Sequence, residues 1–296
     1  MQSLTDGETL KKLRKLRRLN QKECCQGIIS RHTYSRIERN QTSIQFHVLL
    51  ELLERLNISF EDFLFFKKEM NPPIFSRKKL FDLTIETFQE SEGVELYSYL
   101  EQNKQKNMQN FHHYLLYKQK MEQLDFENSE KINLHDLNIL NSYITKLSFF
   151  SILDLTLFSD MCSYLTYDIM KTASLKIVKQ IKNIMNRPDT KLIYQQKLHL
   201  TLYTVTSVAL ENEDYNFVKH LLGITRDFLD CFPNHHYLVF LHCNTHTLNY
   251  KLTTNNYYLS KLFILKDYMK EVEDYQTVDK IEKQIKLLIQ HTASIP

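Results

Sequence analysis

Apolar residues along the first 70 positions of this chain recur at helical spacing, in short runs separated by capping residues. Leu10, Leu13, Leu16 and Leu19 fall near that spacing, while Lys11, Lys12, Arg14, Lys15, Arg17 and Arg18 fill the gaps. The pattern predicts a short amphipathic helix from Glu8 to Leu19. Asn20 ends it and can cap a second helix starting near Gln21, with Glu23 supplying the reciprocal half of a capping box. Gly27 interrupts that helix, and Ser30 offers an N-cap to a third, Arg31 to Arg39. Within it Tyr34 and Ile37 stand at i and i+3 and face a core, so Arg31, His32, Thr33, Ser35 and Arg36 point outward. That outward set is entirely polar and hydrogen-bonding. Ile44, Val48, Leu49, Leu52, Leu53 and Leu56 mark a fourth helix, and Ser59 caps a fifth containing Phe60, Phe63, Leu64 and Phe66.

Asn71-Pro72-Pro73 cannot continue a helix, which sets the expected boundaries: a first domain at 1–68, a linker at 69–75 and a second domain at 76–296. The second domain has only Gly93, Gly223, Pro188, Pro233 and Pro296 as punctuation, so long helices, about ten or eleven of them, are expected. The turn-like segments Glu211 to Tyr215 and Thr253 to Tyr257 repeat at an offset of 42 residues, with a looser predecessor at Tyr164 to Asp168. A period near 40 residues predicts stacked helical hairpins, a degenerate tetratricopeptide-like array. The expected fold class is therefore all-α.

Composition narrows the function. With 4 glycines in 296 residues, neither G-x-G-x-x-G nor G-x-x-x-x-G-K-[ST] occurs, which excludes the glycine-rich nucleotide-binding loops. Carboxylate pairs such as Glu122/Asp125 and Glu271/Asp274 lie where solvated helix faces carry them, so no enzyme is expected. The 17 tyrosines and 18 phenylalanines fit inter-helix packing, and no cofactor is implied. Five cysteines without C-x-x-C read as reduced, packed thiols. No leader pattern and no apolar run long enough for a bilayer occurs, so the expected location is cytoplasmic, away from membranes.

Charge is uneven. The formal net charge is +3, yet residues 7–40 contain ten Lys and Arg against three Glu, so the rest of the chain is net acidic. A basic amino end points to nucleic acid. There Leu13-Arg14, Asn20-Gln21-Lys22-Glu23, Gly27-Ile28-Ile29-Ser30-Arg31, Tyr34-Ser35-Arg36-Ile37-Glu38 and Leu56-Asn57-Ile58-Ser59 resemble the xenobiotic-response-element type of helix-turn-helix, the phage-repressor-like DNA-binding domain. The resemblance implies that the third helix enters the major groove. It makes Arg31, His32, Thr33, Ser35 and Arg36 base or backbone readers, and Gln21 and Ser30 phosphate contacts. It also implies that Glu38 pairs with Arg14 as scaffold. Cys24 and Cys25 stand where the family usually has Leu and Ala, and packing explains them better than redox sensing.

With the break near residue 70 and the helical repeats behind it, the whole chain resembles the Rgg/MutR branch of peptide-pheromone-responsive regulators. The resemblance implies a homodimer on promoter DNA, controlled in quorum-sensing fashion by a short imported peptide, with RNA polymerase a further candidate partner. Aligning the repeats by their echo superposes Ser159, Asp160 and Ser163 on Tyr203, Thr204 and Ser207, and these on Thr245, His246 and Asn249. This polar stripe is the candidate peptide site; the same residues also suit ordinary solvated faces. His242 and His246 stand at i and i+4 but lack the glutamate of H-E-x-x-H and a second ligand pair, so no metal is assigned. Two alternatives stay open: a repressor or scaffold without a peptide ligand, and a redox- or pH-responsive regulator.

Overall fold

The computed structural model describes residues 5–69, 91–125, 130–187 and 189–293; the expected linker falls outside these from residue 70 onward. The chain divides into two units, Met1–Tyr99 and Leu100–Pro296. Fifteen α-helices and no strand occur among the described residues, and none of these helices is long and apolar enough to cross a membrane.

Five helices, all but the fourth with a side-chain N-cap, build the helix-turn-helix region of the first unit: α1 (Asp6–Leu16), α2 (Gln21–Cys25), α3 (Arg31–Glu38), α4 (Phe46–Arg55) and α5 (Phe60–Glu69). Asn20 and Glu23 form the expected capping box, and Thr5 with Glu8 forms another at the start of α1. Leu10, Leu13, Cys24, Cys25, Tyr34, Ile37, Leu49, Leu52, Leu53, Leu56 and Phe63 share one core. Leu16 departs from expectation and is 60% exposed. At about 100° per residue it lies off the face of Leu10 and Leu13, which Arg14 completes instead. Gly7 sets the approach of α1 to α3, because a Cβ there would stand 1.9 Å from the Ile37 carbonyl oxygen.

The scarcity of glycine leaves a mark at helix ends. Among the described residues, seven that are not glycine, including Arg18, Asn40, Asn57, Glu213 and Thr254, take left-handed φ of 51° to 60° where a helix C-terminus ordinarily uses glycine.

Ten helices follow: α6 (Ser91–Asn103), α7 (Met108–Gln123), α8 (Leu134–Lys146), α9 (Ile152–Met161), α10 (Tyr167–Met185), α11 (Leu192–Glu211), α12 (Tyr215–Cys231), α13 (His235–Thr253), α14 (Asn256–Glu271) and α15 (Tyr275–Ala293). The echoing turns separate α11 from α12 and α13 from α14, each through a left-handed residue and an Asp or Asn N-cap. Helices α7, α9, α11, α13 and α15 form one layer in which each touches the next; α8, α10 and α12 form a second layer. Successive helices from α11 to α15 also pair. The first layer runs the length of the stack from α7 to α15 and is taken as its inner wall.

A charged pair lies deep in this unit. The Lys118 ammonium is fully buried, 2.9 Å from Asp136 of α8 and 3.6 Å from Glu130, and sits over the Tyr114 ring.

Candidate functional sites

The reading face of α3 follows from its cap. Ser30 accepts a hydrogen bond from the Thr33 amide at 3.1 Å, and Tyr34 and Ile37 anchor the inner side at 0% and 4% exposure. Arg31, His32, Thr33 and Arg36 are left exposed and Ser35 half-exposed on the outer side. Arg31 and Arg36 have no carboxylate within ion-pair distance among the described residues, so both guanidiniums are available to an external acceptor.

Behind this face lies a buried polar cluster. Arg14 Nε and a terminal nitrogen donate to the two Glu38 oxygens at 2.6 and 3.1 Å, and its other terminal nitrogen donates to the Leu19 carbonyl at 2.7 Å. Burial raises the Glu38 pKa, but hydrogen bonds from Arg14 and Gln21 outweigh it and hold the carboxyl below its ordinary value. Gln21 therefore has a second role that the sequence did not disclose: its amide donates to Glu38 at 2.8 Å. The other amide hydrogen remains for a phosphate. Cys24 is fully buried, donates to the Tyr34 hydroxyl at 3.3 Å, and has its thiol pKa raised by burial.

The three polar trios of the repeat unit sit differently. Ser159 is buried and hydrogen-bonds Thr201 at 2.8 Å; Asp160 pairs with His112 at 2.8 Å; Ser163 is exposed on a single 3-10 turn, Cys162–Tyr164. Tyr203, Thr204 and Ser207 share a half-exposed stripe of α11. Thr245, His246 and Asn249 are also half-exposed, but they do not extend that stripe. Tyr203 stacks on Phe240 of α13 with centroids 4.1 Å apart, whereas Thr245, His246 and Asn249 stand about 120° to 180° around α13 from Phe240. His246 instead neighbours Tyr258 of α14.

What does adjoin Tyr203 is a cavity of about 330 Å³ lined by Gln196, Lys197, Leu200, Asn234, His236 and Tyr237. His236 meets Phe240 edge-on at 4.8 Å and pairs with Asp274 at 3.3 Å. Leu200 of the cavity wall and Tyr203 lie on neighbouring turns of α11, so the stripe runs on along α11 from the cavity, and the two together are the candidate groove.

Below this groove His199 is 2% exposed, stacked on Tyr237, with Nε2 3.0 Å from the Phe232 carbonyl and Nδ1 buried without a partner. Donation to that carbonyl fixes the neutral Nε2–H tautomer. Burial lowers its pKa below the ordinary 6.5, the Phe232 bond opposing only in part. His246 shifts the same way, through burial and then the charges of His242 and Lys261. Unfolded histidine binds a proton first, so stability present at pH 7.5 is lost as the pH falls below about 6.5. A thermal melt should drop between pH 7.5 and 5.5, and His199→Phe should lessen the drop. An equal pH response in wild type and variant would contradict the assignment.

Among the described residues no three His, Cys, Asp or Glu side chains converge in a metal-binding arrangement. Burial pushes the Cys162 and Cys243 thiols up to about 12, far from the thiolate form that sensing needs.

Residues 10–63 match the family model described as Helix-turn-helix, so the first unit contains a domain of that family. No curated protein sequence matches the chain. Among solved structures, a PrgX mutant aligns with TM-score 0.72 at 14% identity, covering 99% of this chain and 96% of that one. The Streptococcus dysgalactiae SHP pheromone receptor Rgg2 aligns with TM-score 0.69 at 12% identity, covering 95% and 99%. A bacterial peptide pheromone/receptor complex aligns with TM-score 0.69 at 15% identity, covering 96% and 98%. Both units of this chain thus share the fold of these proteins.

Proposed function

We propose that this chain is a cytoplasmic, sequence-specific transcription regulator of quorum-sensing type, a binding protein rather than an enzyme, whose repeat unit takes up a short signalling peptide. One observation carries the reading: a capped α3 with a wholly polar outer face, in a helix-turn-helix domain, is joined to a repeat unit of the fold found in pheromone receptors. Arg31, His32, Thr33, Ser35 and Arg36 read bases or backbone, and Ser30 and Gln21 contact phosphates. The peptide lies along α11, over Tyr203, Thr204 and Ser207 and into the adjoining cavity. Ser159 and Asp160 of α9 are engaged with Thr201 and His112, Ser163 lies on the turn beyond α9, and the α13 trio faces away from this groove.

The regulator works as a homodimer at promoters, where RNA polymerase is its further partner. Tyr257, Ile264 and Tyr268 of α14 are each more than half exposed at the end of the array, where a repeat stack requires either a polar cap or a partner.

The test is operator selection from genomic fragments, followed by binding of variants to the selected site. Arg31→Ala and Arg36→Ala should each weaken binding about tenfold to a hundredfold, the worth of a bidentate base contact, without lowering the melting temperature. Wild-type affinity in both variants would remove α3 as the reading element.

A further inference from the structure

The groove ends in a cation that three helices assemble. Lys280 of α15 lies over the Tyr203 ring of α11 at 5.7 Å and over the Phe240 ring of α13 at 5.3 Å. A contact spanning α11, α13 and α15 must stand on the open side of the inner layer, since the opposite side is packed against α12 and α14. The two rings support the ammonium from one side by cation–π attraction and leave its other side to solvent. Lys280 itself is exposed.

No carboxylate lies within 4 Å of this ammonium among the described residues. Asp274 is an opposing charge that this ammonium does feel, Lys280 being among the groups that hold its carboxyl below the ordinary value, but its oxygens already accept from the Thr277 amide at 3.1 Å and its hydroxyl at 2.8 Å, and pair with His236 at 3.3 Å. Asp274 is thus committed to starting α15 and orienting His236. His236 in turn contacts Phe240 and lines the 330 Å³ cavity, so the cation and the cavity share a wall. An ammonium on an aromatic floor, beside a cavity with the Gln196 and Asn234 amides, suits a chain end bearing negative charge.

We infer that Lys280 receives the free C-terminal carboxylate of the peptide, and so sets the direction in which the peptide lies along α11. This rests on the peptide-binding reading above and adds its polarity. Lysine is suited to the task because its compact charge accepts any approach of a carboxylate, while Tyr203 and Phe240 restrict where the last side chain can go.

The experiment uses the full chain and two synthetic random octapeptide pools, identical except that one ends in a free acid and the other in an amide. Wild-type protein should enrich peptides from the acid pool about tenfold or more over their amide counterparts. Lys280→Met should abolish that preference while the melting temperature stays near wild type, and Lys280→Arg should restore it. Lys280-dependent enrichment of Asp or Glu within the amide pool would overturn the C-terminal assignment, showing that the ammonium takes a side-chain carboxylate and does not set the direction of the peptide. Equal enrichment from both pools, unchanged in Lys280→Met, overturns the inference and leaves peptide binding standing. Enrichment from neither pool overturns both.

Discussion

Glu38→Ala should cost the N-terminal unit about 3–5 kcal/mol, because it leaves the Arg14 guanidinium buried without its counter-charge. Side-chain exposures of 11% and 2% for Arg14 and Glu38 place the pair where water cannot replace either partner. For a small unit this loss is comparable with its whole stability, so DNA binding should disappear with folding. Arg36→Ala, on the same helix but exposed, should lose affinity with its fold intact. Denaturant unfolding followed by circular dichroism separates the two, and a Glu38→Ala variant unfolding like wild type would contradict the account. Acid acts in the same direction. The depressed Glu38 pKa contributes stability that is whole above the ordinary value of 4.5 and is lost as the pH falls through the lower folded value.

The second large effect belongs to the repeat unit. Lys118→Met should cost about 3–5 kcal/mol, since Asp136, 2% exposed, would be left buried without the ammonium 2.9 Å away. Glu130 offers no substitute, being an acid itself and largely solvated. The double variant Lys118→Met/Asp136→Leu should recover part of the loss, because no unpaired charge is left in the core, while the Asn133 amide still loses the carboxylate that completes the α8 capping box. Denaturation of Lys118→Met, Asp136→Leu and the double variant checks this, and additive losses in the double variant would show that the charges do not depend on each other.

These two pairs show how far the sequence could be read. Caps and apolar spacing located α2 and α3 through Asn20, Glu23 and Ser30, because capping chemistry is local and uses few residue types. The Arg14–Glu38 pair was reachable only by resemblance, and Lys118 not at all, since a lysine between Tyr117 and Gln119 carries no mark of its burial. The 42-residue echo placed the turns of the repeats correctly, yet the polar stripe built on it fails to continue from α11 to α13. A sequence offset aligns helices along their axes and says nothing about rotation around them. That rotation is set by which neighbours each helix touches: Phe240 turns toward Tyr203 and Lys280, and Thr245 and Asn249 are carried away. Lys280 escaped notice for the same reason, being 77 residues beyond Tyr203 in the chain.

Gly7 gives the N-terminal unit a mechanical property. With the α1 backbone seated directly on the Ile37 carbonyl, α3 has no slack in which to roll or slide against its own unit. Gly7→Ala would therefore have to push α1 and α3 apart, and the reading face carried by α3 would move with it.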